Sequence, residues 1–386
     1  MGFFFSKPVE PAPPTQTTSK KIPKSALRNS ERDLVEYDQR LDEERAKAKA
    51  KRVEEYLKQE KAKYDFENKE PRILILGSSD SGKSTFLKQL KILHGNGFTS
   101  EELERAKKSI LFSIFTIART IVTQASKEVV LSYEPISKLS IDEAKKNIPD
   151  DIFHTIMSMW KDPVIKELYY SYGDLFPLNS QHFFDKLDVL ITPQYVLSHD
   201  DMLLMRTVTQ KISDNIFDVD MNGKTQRIHF FDVSGLKYHR KRWMSYFDDI
   251  LSIVFVVDIS SYDQVLSEDQ DINRMVDAIN LYDFIVNHPL LTKPDIILFF
   301  NKKDLYDIKI KRVSLHVHFP AYTGRDFSCS EGLSFLQHEF LKVNKNEKKI
   351  VKIHNTCCTD TQMMRKIIKD VLYSILKGDI SNVMNL

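Results

Sequence analysis

Short apolar runs of strand length alternate with helical stretches through much of the chain. Four such runs cover residues 72–76, 227–231, 250–257 and 296–300. Continuous apolar runs of this length are typical of strands that are buried on both faces. Helical spacing between the later runs predicts an α/β fold in which crossover helices connect the strands of a parallel sheet.

A long helical region separates the first apolar run from the others. A helix over residues 85–93 follows the first run, and residues 98–200 then show almost no strand pattern. The helices predicted in that region cover residues 101–124, 151–172 and 181–191.

This order predicts one α/β domain that is interrupted by an all-helical insertion. The α/β domain is assigned to residues 68–97 and 203–386, and the insertion to residues 98–202. Both parts are of ordinary size for a folded domain.

The N-terminal region has a different character. Residues 1–28 are rich in proline, threonine, serine and lysine, which predicts a disordered tail. Residues 29–67 are dense in glutamate, lysine, arginine and alanine and contain no glycine or proline, which predicts one long helix. Its apolar stripe is narrow, so both a solvated charged helix and a partner-binding helix fit the pattern.

Composition excludes several classes of protein. The chain has 386 residues, a hydrophobic content of 42% and a charged content of 28%, which are typical of a globular protein. A net charge of +2 gives no reason to expect nucleic-acid binding. Three cysteines, two of them adjacent, favour a reducing compartment over a disulfide framework. No apolar run is long enough to span a membrane, and the N-terminus does not resemble a secretory signal.

A phosphate-binding loop lies between the first apolar run and the helix that follows it. Residues 77–84 read GSSDSGKS, which fits the pattern G-x-x-x-x-G-K-[ST]. A strand, a glycine-rich loop and a helix N-terminus together direct backbone N–H groups at phosphates. The expected nucleotide contacts are Gly77, Ser78, Ser79, Asp80, Ser81, Gly82, Lys83, Ser84 and Thr85.

Two residues of this loop have specific expected roles. Lys83 would reach the β- and γ-phosphates, and the Ser84 hydroxyl would bind a magnesium ion. The alternative, a simple glycine turn, does not explain why the loop lies between a strand and a helix.

A guanine-recognition motif follows the last apolar run. Asn301, Lys302 and Asp304 form the pattern N-K-x-D. The Asp304 carboxylate could accept two hydrogen bonds from guanine, whereas adenine would leave it unpaired. Asp232 and Gly235 form a D-x-x-G pattern after an earlier strand, which suits a carboxylate near magnesium and a glycine amide near the γ-phosphate. In isolation, N-K-x-D is usually a surface turn, and D-x-x-G would equally fit an acidic turn.

These motifs resemble those of heterotrimeric G-protein alpha subunits, from about residue 71 to the C-terminus. The stretches that carry the resemblance are residues 82–85, 88–89, 91–94, 273–275, 301–305 and 359–361. It implies a Ras-like P-loop GTPase domain with an inserted all-helical domain and a long N-terminal helix. It also implies GTP or GDP and Mg²⁺ as ligands, with hydrolysis of GTP to GDP and phosphate.

The resemblance assigns three further residues. Arg206 corresponds to the arginine that the family supplies in cis for hydrolysis, and Thr209 to its magnesium-binding threonine. Cys358 lies in the loop that meets the guanine oxygen.

The chain departs from the family at positions that affect the chemical step. The water-positioning glutamine is expected directly after Gly235, but Leu236 stands there, and leucine has no group to orient water. Ser79 replaces a glycine of the phosphate loop, and its bulk can crowd the transition state. Both changes leave the binding groups in place, which predicts GTP binding with slow hydrolysis.

Other departures concern switching. Ser234 replaces a glycine and could stiffen the second switch region, and Cys358 replaces a small alanine and could loosen the nucleotide. The acidic position that the family uses between its domains aligns with Leu178. These changes predict a protein that loads GTP readily and keeps it.

The resemblance implies partners and a place in the cell. The N-terminal helix and residues 237–247 correspond to contacts with a beta–gamma dimer, and the C-terminal residues to a contact with a G-protein-coupled receptor; the effector is unknown. Gly2 fits a myristoylation pattern weakened by Phe3. The expected location is the cytoplasmic face of the plasma membrane, as a peripheral protein with a cytosolic fraction. One alternative stays open, a non-cycling GTP-dependent scaffold, whereas an ATP-using P-loop enzyme is disfavoured by Asp304.

Overall fold

The computed structural model describes residues 70–171, 176, 179–207, 212–221, 224–235, 237–266 and 269–377. The predicted tail, the predicted N-terminal helix and the C-terminal residues 378–386 lie outside these described residues. Thr209, Leu178, Leu236 and Gly2 also lie outside them, so the expectations for these four positions stay predictions.

A six-stranded sheet forms the centre of the nucleotide-binding part. Its strands are β1 (Arg72–Leu76), β2 (Ser213–Met221), β3 (Lys224–Asp232), β4 (Ser252–Asp258), β5 (Asp295–Asn301) and β6 (Val351–Asn355). Their order across the sheet is β2-β3-β1-β4-β5-β6. Strand β2 is antiparallel to β3, and all other neighbours are parallel.

Helices cover both faces of this sheet because its central strands are buried on both sides. The helices of this part are α1 (Lys83–His94), α10 (His199–Leu204), α11 (Arg274–Val286), α12 (Lys303–Lys309), α13 (Cys329–Leu341) and α14 (Thr361–Lys377). Helices α1 and α14 contribute to the apolar core on one face, and α11, α12 and α13 to the core on the other.

The inserted region is helical in the structure. Its helices are α2 (Ser100–Gln124), α3 (Lys127–Ser132), α4 (Glu134–Lys138), α5 (Ile141–Lys146), α6 (Asp150–Lys161), α7 (Pro163–Ser171), α8 (Ser180–Asp185) and α9 (Leu187–Leu190). Among the described residues, 107–195 form one compact unit, while 70–106 and 196–377 form the other. The sequence prediction drew these limits at residues 98 and 202.

Aromatic side chains form much of the core of the helical unit. Trp160 stacks on Phe184 at a centroid distance of 4.5 Å, and Tyr169 stacks on Phe176 at 5.5 Å. Trp160 and Tyr169 meet edge to face at 5.1 Å. Trp160 Nε1 donates a hydrogen bond to Asp185 Oδ1 at 2.6 Å, which satisfies its polar group inside this cluster.

Two predicted helices are each broken in the structure. The helix expected over residues 151–172 is divided between α6 and α7, because Pro163 has no N–H to donate and disfavours helical backbone at the residue before it. Asp162 accordingly has extended backbone, with φ −72° and ψ 121°. The helix expected over residues 181–191 is interrupted at Lys186, between α8 and α9.

The predicted parallel sheet with crossover helices is present, and an antiparallel strand that was not predicted is added at its β2 edge. Strand β2 was not predicted, because its sequence SDNIFDVDM carries three aspartates on an edge strand and lacks a continuous apolar run. Strand β6 was not predicted either, since VKIHN is short and partly exposed. No helix in the described part of the chain has the length and apolar character needed to cross a membrane.

Candidate nucleotide-binding site

The predicted site residues converge at the carboxyl edge of the sheet. Strands β3, β4 and β5 end in Asp232, Asp258 and Asn301, and β1 runs directly into the phosphate loop. Asp258 is paired in register with Asn301. Ligands of open α/β sheets bind at this edge, where the loops after parallel strands meet.

The phosphate loop folds around the side chain of Lys83. Lys83 Nζ donates hydrogen bonds to Ser78 O at 2.7 Å and to Gly77 O at 3.1 Å. Its side chain is buried at the start of α1, and burial lowers the pKa of Lys83 to about 8, although Asp232 and Asp80 act in the opposite direction. A cation held inside a loop of backbone N–H groups is suited to phosphate oxygens.

Two glycines allow the loops of the site to approach one another. Gly82 has φ +106°, a backbone conformation that favours glycine, and a Cβ there would overlap Asn301 Nδ2. A Cβ on Gly235 would lie 2.6 Å from both Lys83 Nζ and Ser78 O. Gly235 therefore faces the phosphate loop, where the D-x-x-G pattern placed it.

Oxygen donors for a magnesium ion lie at the start of α1. Ser84 Oγ donates to Asp232 Oδ2 at 3.4 Å, and Asp232 is buried at the end of β3. A hydroxyl beside a carboxylate fits Mg²⁺, which takes few protein ligands and keeps waters and substrate oxygens. Thr209, the second predicted magnesium ligand, lies outside the described residues.

The guanine side of the site is built around Asn301. Its Oδ1 accepts hydrogen bonds from Cys358 N at 3.0 Å and Thr356 Oγ1 at 3.2 Å. Its Nδ2 donates to Ser81 O at 2.8 Å, which connects the guanine loops to the phosphate loop. Asp304 lies exposed in the first turn of α12.

The residues that distinguish this chain from the family occupy defined places. Cys358 contributes its thiol to the core between α1 and α14, so its bulk lies on the core side of the loop. Ser234 is buried, and its carbonyl accepts a hydrogen bond from Trp243 Nε1 at 3.1 Å. Ser79 is half-buried, and its carbonyl accepts one from Arg274 at 2.9 Å.

Arg206 is held against the phosphate loop by an ion pair. Its Nε and Nη2 donate to the two carboxylate oxygens of Asp80 at 3.1 and 2.9 Å. Burial disfavours the charge on Asp80, but Arg206, Arg274 and Lys302 hold the pKa of this carboxyl well below its usual range. Lys88 of α1 donates to Met205 O at 2.8 Å and so fixes the backbone that presents Arg206.

Sequence reasoning assigned no role in the site to several residues. Arg240 pairs with Asp277 at 2.6 Å and contacts Gly235 O, and Gln89 donates to Cys358 O at 3.0 Å. Asp258 pairs with Lys302 at 2.7 Å. A signal existed for Asp258, since it ends an apolar strand as Asp232 and Asn301 do.

Comparisons with known proteins agree with this geometry. Residues 47–375 match the family described as G-protein alpha subunit. The guanine nucleotide-binding protein alpha-3 subunit of Caenorhabditis elegans is 34% identical over 322 residues, which cover 80% of this chain and 89% of that protein. The guanine nucleotide-binding protein G(o) subunit alpha of Planorbella trivolvis is 32% identical over 350 residues, or 88% of this chain and 96% of that protein.

Proposed function

The chain belongs to the G-protein alpha-subunit family, and we propose that it is a GTP-binding signalling switch whose own hydrolysis of GTP is slow. Members of this family bind guanine nucleotides, are GTPases and act with beta–gamma subunits and receptors. The family does not determine how fast this particular chain hydrolyses the GTP that it binds, and that rate is the subject of the proposal.

One observation supports the proposal: the residues proposed to bind nucleotide lie close together, while leucine stands where the family's water-positioning glutamine is expected. Lys83, Asp232 and Asn301 lie together at the carboxyl edge of the sheet. Position 236, which follows Gly235 directly, is leucine. A leucine side chain can neither donate to nor accept from an attacking water.

The contacts of Arg206 support slow hydrolysis as well. An arginine that stabilises the transferring phosphoryl group must direct its guanidinium at the charge that develops in the transition state. Here that guanidinium forms a bidentate ion pair with Asp80. To stabilise the transition state, Arg206 would have to break this ion pair or bind Asp80 and the phosphoryl group together. Ser79 adds a side chain beside Asp80 where the family has glycine.

Magnesium fits the same proposal. Ser84 and Asp232 are the described residues that would hold it, with Thr209 as a further expected ligand. When bound, the ion would neutralise charge on phosphate oxygens.

The proposed partners are a beta–gamma dimer, a G-protein-coupled receptor and an effector of unknown identity. We place the protein at the cytoplasmic face of the plasma membrane as a peripheral protein, with part of it in the cytosol. A myristoyl group on Gly2 would supply only marginal anchoring by itself. Mass spectrometry of the native N-terminus tests the modification, and an unmodified Gly2 would contradict it.

A second candidate function is a GTP-dependent scaffold that does not cycle. Leu236 and Ser79 favour it, because a protein without turnover could use GTP as a structural cofactor. The presence of Arg206 and Thr209 at the family's positions favours the switch, since a scaffold needs neither a catalytic arginine nor a second magnesium ligand. An ATP-using enzyme is the least supported, because Asn301 and Asp304 suit guanine; competition between GTP and ATP tests it.

The test combines the identity of the bound nucleotide with single-turnover hydrolysis. Wild type is expected to retain GTP or GDP on purification and to hydrolyse loaded GTP slowly. Leu236→Gln restores a group that can orient water, so its single-turnover rate should rise at least about tenfold. Leu236→Ala is the matched control, because it removes the bulk of leucine without adding a polar group.

Three outcomes separate the proposals. A wild-type rate equal to that of Leu236→Gln would contradict slow hydrolysis. Equal acceleration by Leu236→Ala would attribute the effect to bulk and not to water positioning. Stoichiometric GTP that neither exchanges nor hydrolyses, even in Leu236→Gln, would favour the scaffold.

A further inference from the structure

Asp258 is a buried carboxylate beside the guanine loop. Its side chain lies at the carboxyl end of β4 and is 4% exposed. Oδ2 accepts a hydrogen bond from Lys302 Nζ at 2.7 Å, while Oδ1 accepts from the backbone N of Ser260 at 3.0 Å and from its hydroxyl at 2.6 Å. Both carboxylate oxygens are therefore engaged, and one of them contacts the lysine of the N-K-x-D motif directly.

The pair is charged in spite of its burial. Burial favours the neutral acid, but the nearby charges of Lys302 and Arg274 hold the pKa of Asp258 below its ordinary value. Removing a carboxylate from water is unfavourable unless a cation and hydrogen-bond donors replace the water. The Lys302 ammonium is consequently part of what keeps Asp258 ionised, and Asp258 fixes where that ammonium lies.

The backbone of Lys302 has an unfavourable conformation that contacts such as the ion pair with Asp258 must stabilise. Its φ of 61° and ψ of 41° lie in the left-handed region, which residues with a side chain adopt at a cost. Its carbonyl accepts a hydrogen bond from Tyr306 N at 2.9 Å and so begins α12. The side chain is anchored to β4 and the backbone to α12, and together these contacts hold Lys302 in an unfavourable conformation.

Lys302 also acts on the phosphate loop. Together with Arg206 and Arg274, it lowers the pKa of Asp80, against the effect of burial. Lys302 thus interacts with two carboxylates, one at the end of β4 and one in the phosphate loop.

We propose that Asp258 is a positioning residue for the guanine nucleotide, which slows nucleotide release by holding Lys302 in place. Asp258 acts through Lys302 and does not itself contact the nucleotide. The inference rests on the proposed function, because it takes Lys302 as a contact of bound guanine nucleotide.

The experiment measures the release of radiolabelled GDP from full-length protein. Asp258→Asn keeps the shape of the side chain but replaces a charged partner of Lys302 with a neutral one, so release should accelerate about tenfold. Lys302→Met should accelerate release at least as much. The double variant should release GDP no faster than Lys302→Met alone, because the effect of Asp258 passes through that lysine.

Asp263→Asn is the matched control. Asp263 lies five residues further along and pairs with Lys309 of the same helix α12 at 2.8 Å, away from the motif. Its release rate should stay within about twofold of wild type. If Asp258→Asn does not fold, Ser260→Ala removes one hydrogen bond to the carboxylate and should accelerate release about threefold.

The outcomes separate this inference from the proposed function. A wild type that retains GDP, with Asp258→Asn no faster than Asp263→Asn, would overturn the inference alone. Effects of Asp258→Asn and Lys302→Met that multiply in the double variant would make Asp258 a general stabiliser, which also overturns it. A wild type that retains no guanine nucleotide would overturn the proposed function and this inference with it.

Discussion

At the scale of single residues, His229 of β3 lies between two carboxylates away from the nucleotide loops. Its Nδ1 contacts Asp214 Oδ2 of β2 at 2.9 Å, and its Nε2 contacts Glu70, which precedes β1. Burial opposes the charged imidazolium, but the hydrogen bonds to Asp214 and Glu70 outweigh it and raise the pKa of His229 above 6.5. A protonated His229 therefore connects the entry to β1 with the edge strand β2.

This arrangement predicts a pH-dependent contribution to stability. Because the pKa of His229 is raised in the folded state, its contribution is fully present below about pH 6.5 and is lost as pH rises through the raised value. His229→Gln should lower the free energy of unfolding by up to about 1 kcal/mol near pH 6 and by much less near pH 8.5. Denaturant unfolding at both pH values measures the difference.

His154→Gln is the control for this prediction, because His154 is an exposed histidine of α6. Its substitution should change the free energy of unfolding by less than about 0.5 kcal/mol, as is usual for an exposed site. A loss in His229→Gln that is the same at pH 6 and pH 8.5 would show that packing, and not charge, accounts for its contribution.

At the scale of elements, α1 is connected to the loop after β6 by one buried glutamine. Gln89 Nε2 donates hydrogen bonds to Cys358 O at 3.0 Å and to Thr361 Oγ1 at 3.1 Å. Thr361 is the first residue of α14. The helix that begins at the phosphate loop is therefore bonded to the loop whose Cys358 N–H donates to Asn301. A movement of α14 would therefore be transmitted through Gln89 to α1, which begins at the phosphate loop, and to the loop after β6, which contacts Asn301.

Gln89→Ala should accordingly accelerate GDP release about tenfold and lower the free energy of unfolding by about 1–3 kcal/mol, because the buried Cys358 carbonyl and the part-buried Thr361 hydroxyl lose their donor. Gln337→Ala is the comparison: that half-buried glutamine connects α13 to Asn355 of β6 by a weak, solvent-exposed contact of 3.5 Å. Its release rate should match wild type. Unchanged release in Gln89→Ala would exclude α1 as a connection between the two loops.

The elements that the sequence predicts are those whose signal is local. Strand β1, the phosphate loop and α1 were predictable because an apolar run, a glycine pattern and helical spacing follow one another within residues 72–94. The order of Asp232 and Asn301 at strand ends was predictable for the same reason. The outcome at these positions depends little on the rest of the chain.

Features that depend on distant residues were not predictable. Strand β2 is a strand because it pairs with β3 over its whole length, and its own sequence alternates imperfectly. The Asp80–Arg206 pair joins residues 126 positions apart, and the Asp258–Lys302 pair joins residues 44 apart. No spacing in the sequence indicates with which carboxylate a given lysine or arginine forms an ion pair.

At the scale of the whole molecule, the described residues divide into two compact units. In the helical unit, Trp160, Tyr169, Phe176 and Phe184 pack on one another. In the nucleotide-binding unit, the core lies on the two faces of the sheet. Each unit therefore buries apolar side chains against other residues of the same unit.

A fragment of residues 99–198 should consequently fold alone. We expect helical circular dichroism and one cooperative unfolding transition with denaturant. Phe184→Ala should lower the free energy of unfolding of this fragment by about 3–5 kcal/mol, because it removes the ring that stacks on Trp160. Val164→Ala is the control, since Val164 is exposed on α7. Helical signal without a cooperative transition would contradict independent folding.

The placement of the tryptophans has an optical consequence. The chain has two, Trp160 in the helical unit and Trp243 in the nucleotide-binding unit, where its indole N–H bonds to Ser234 O beside Asp232 and Gly235. Replacing either one by phenylalanine leaves a single tryptophan among the 15 tyrosines, so emission under tryptophan-selective excitation can be assigned to one unit at a time without an added dye. Trp243 would report spectroscopically on the loop that follows β3, and Trp160, in the other variant, on the aromatic cluster of the helical unit.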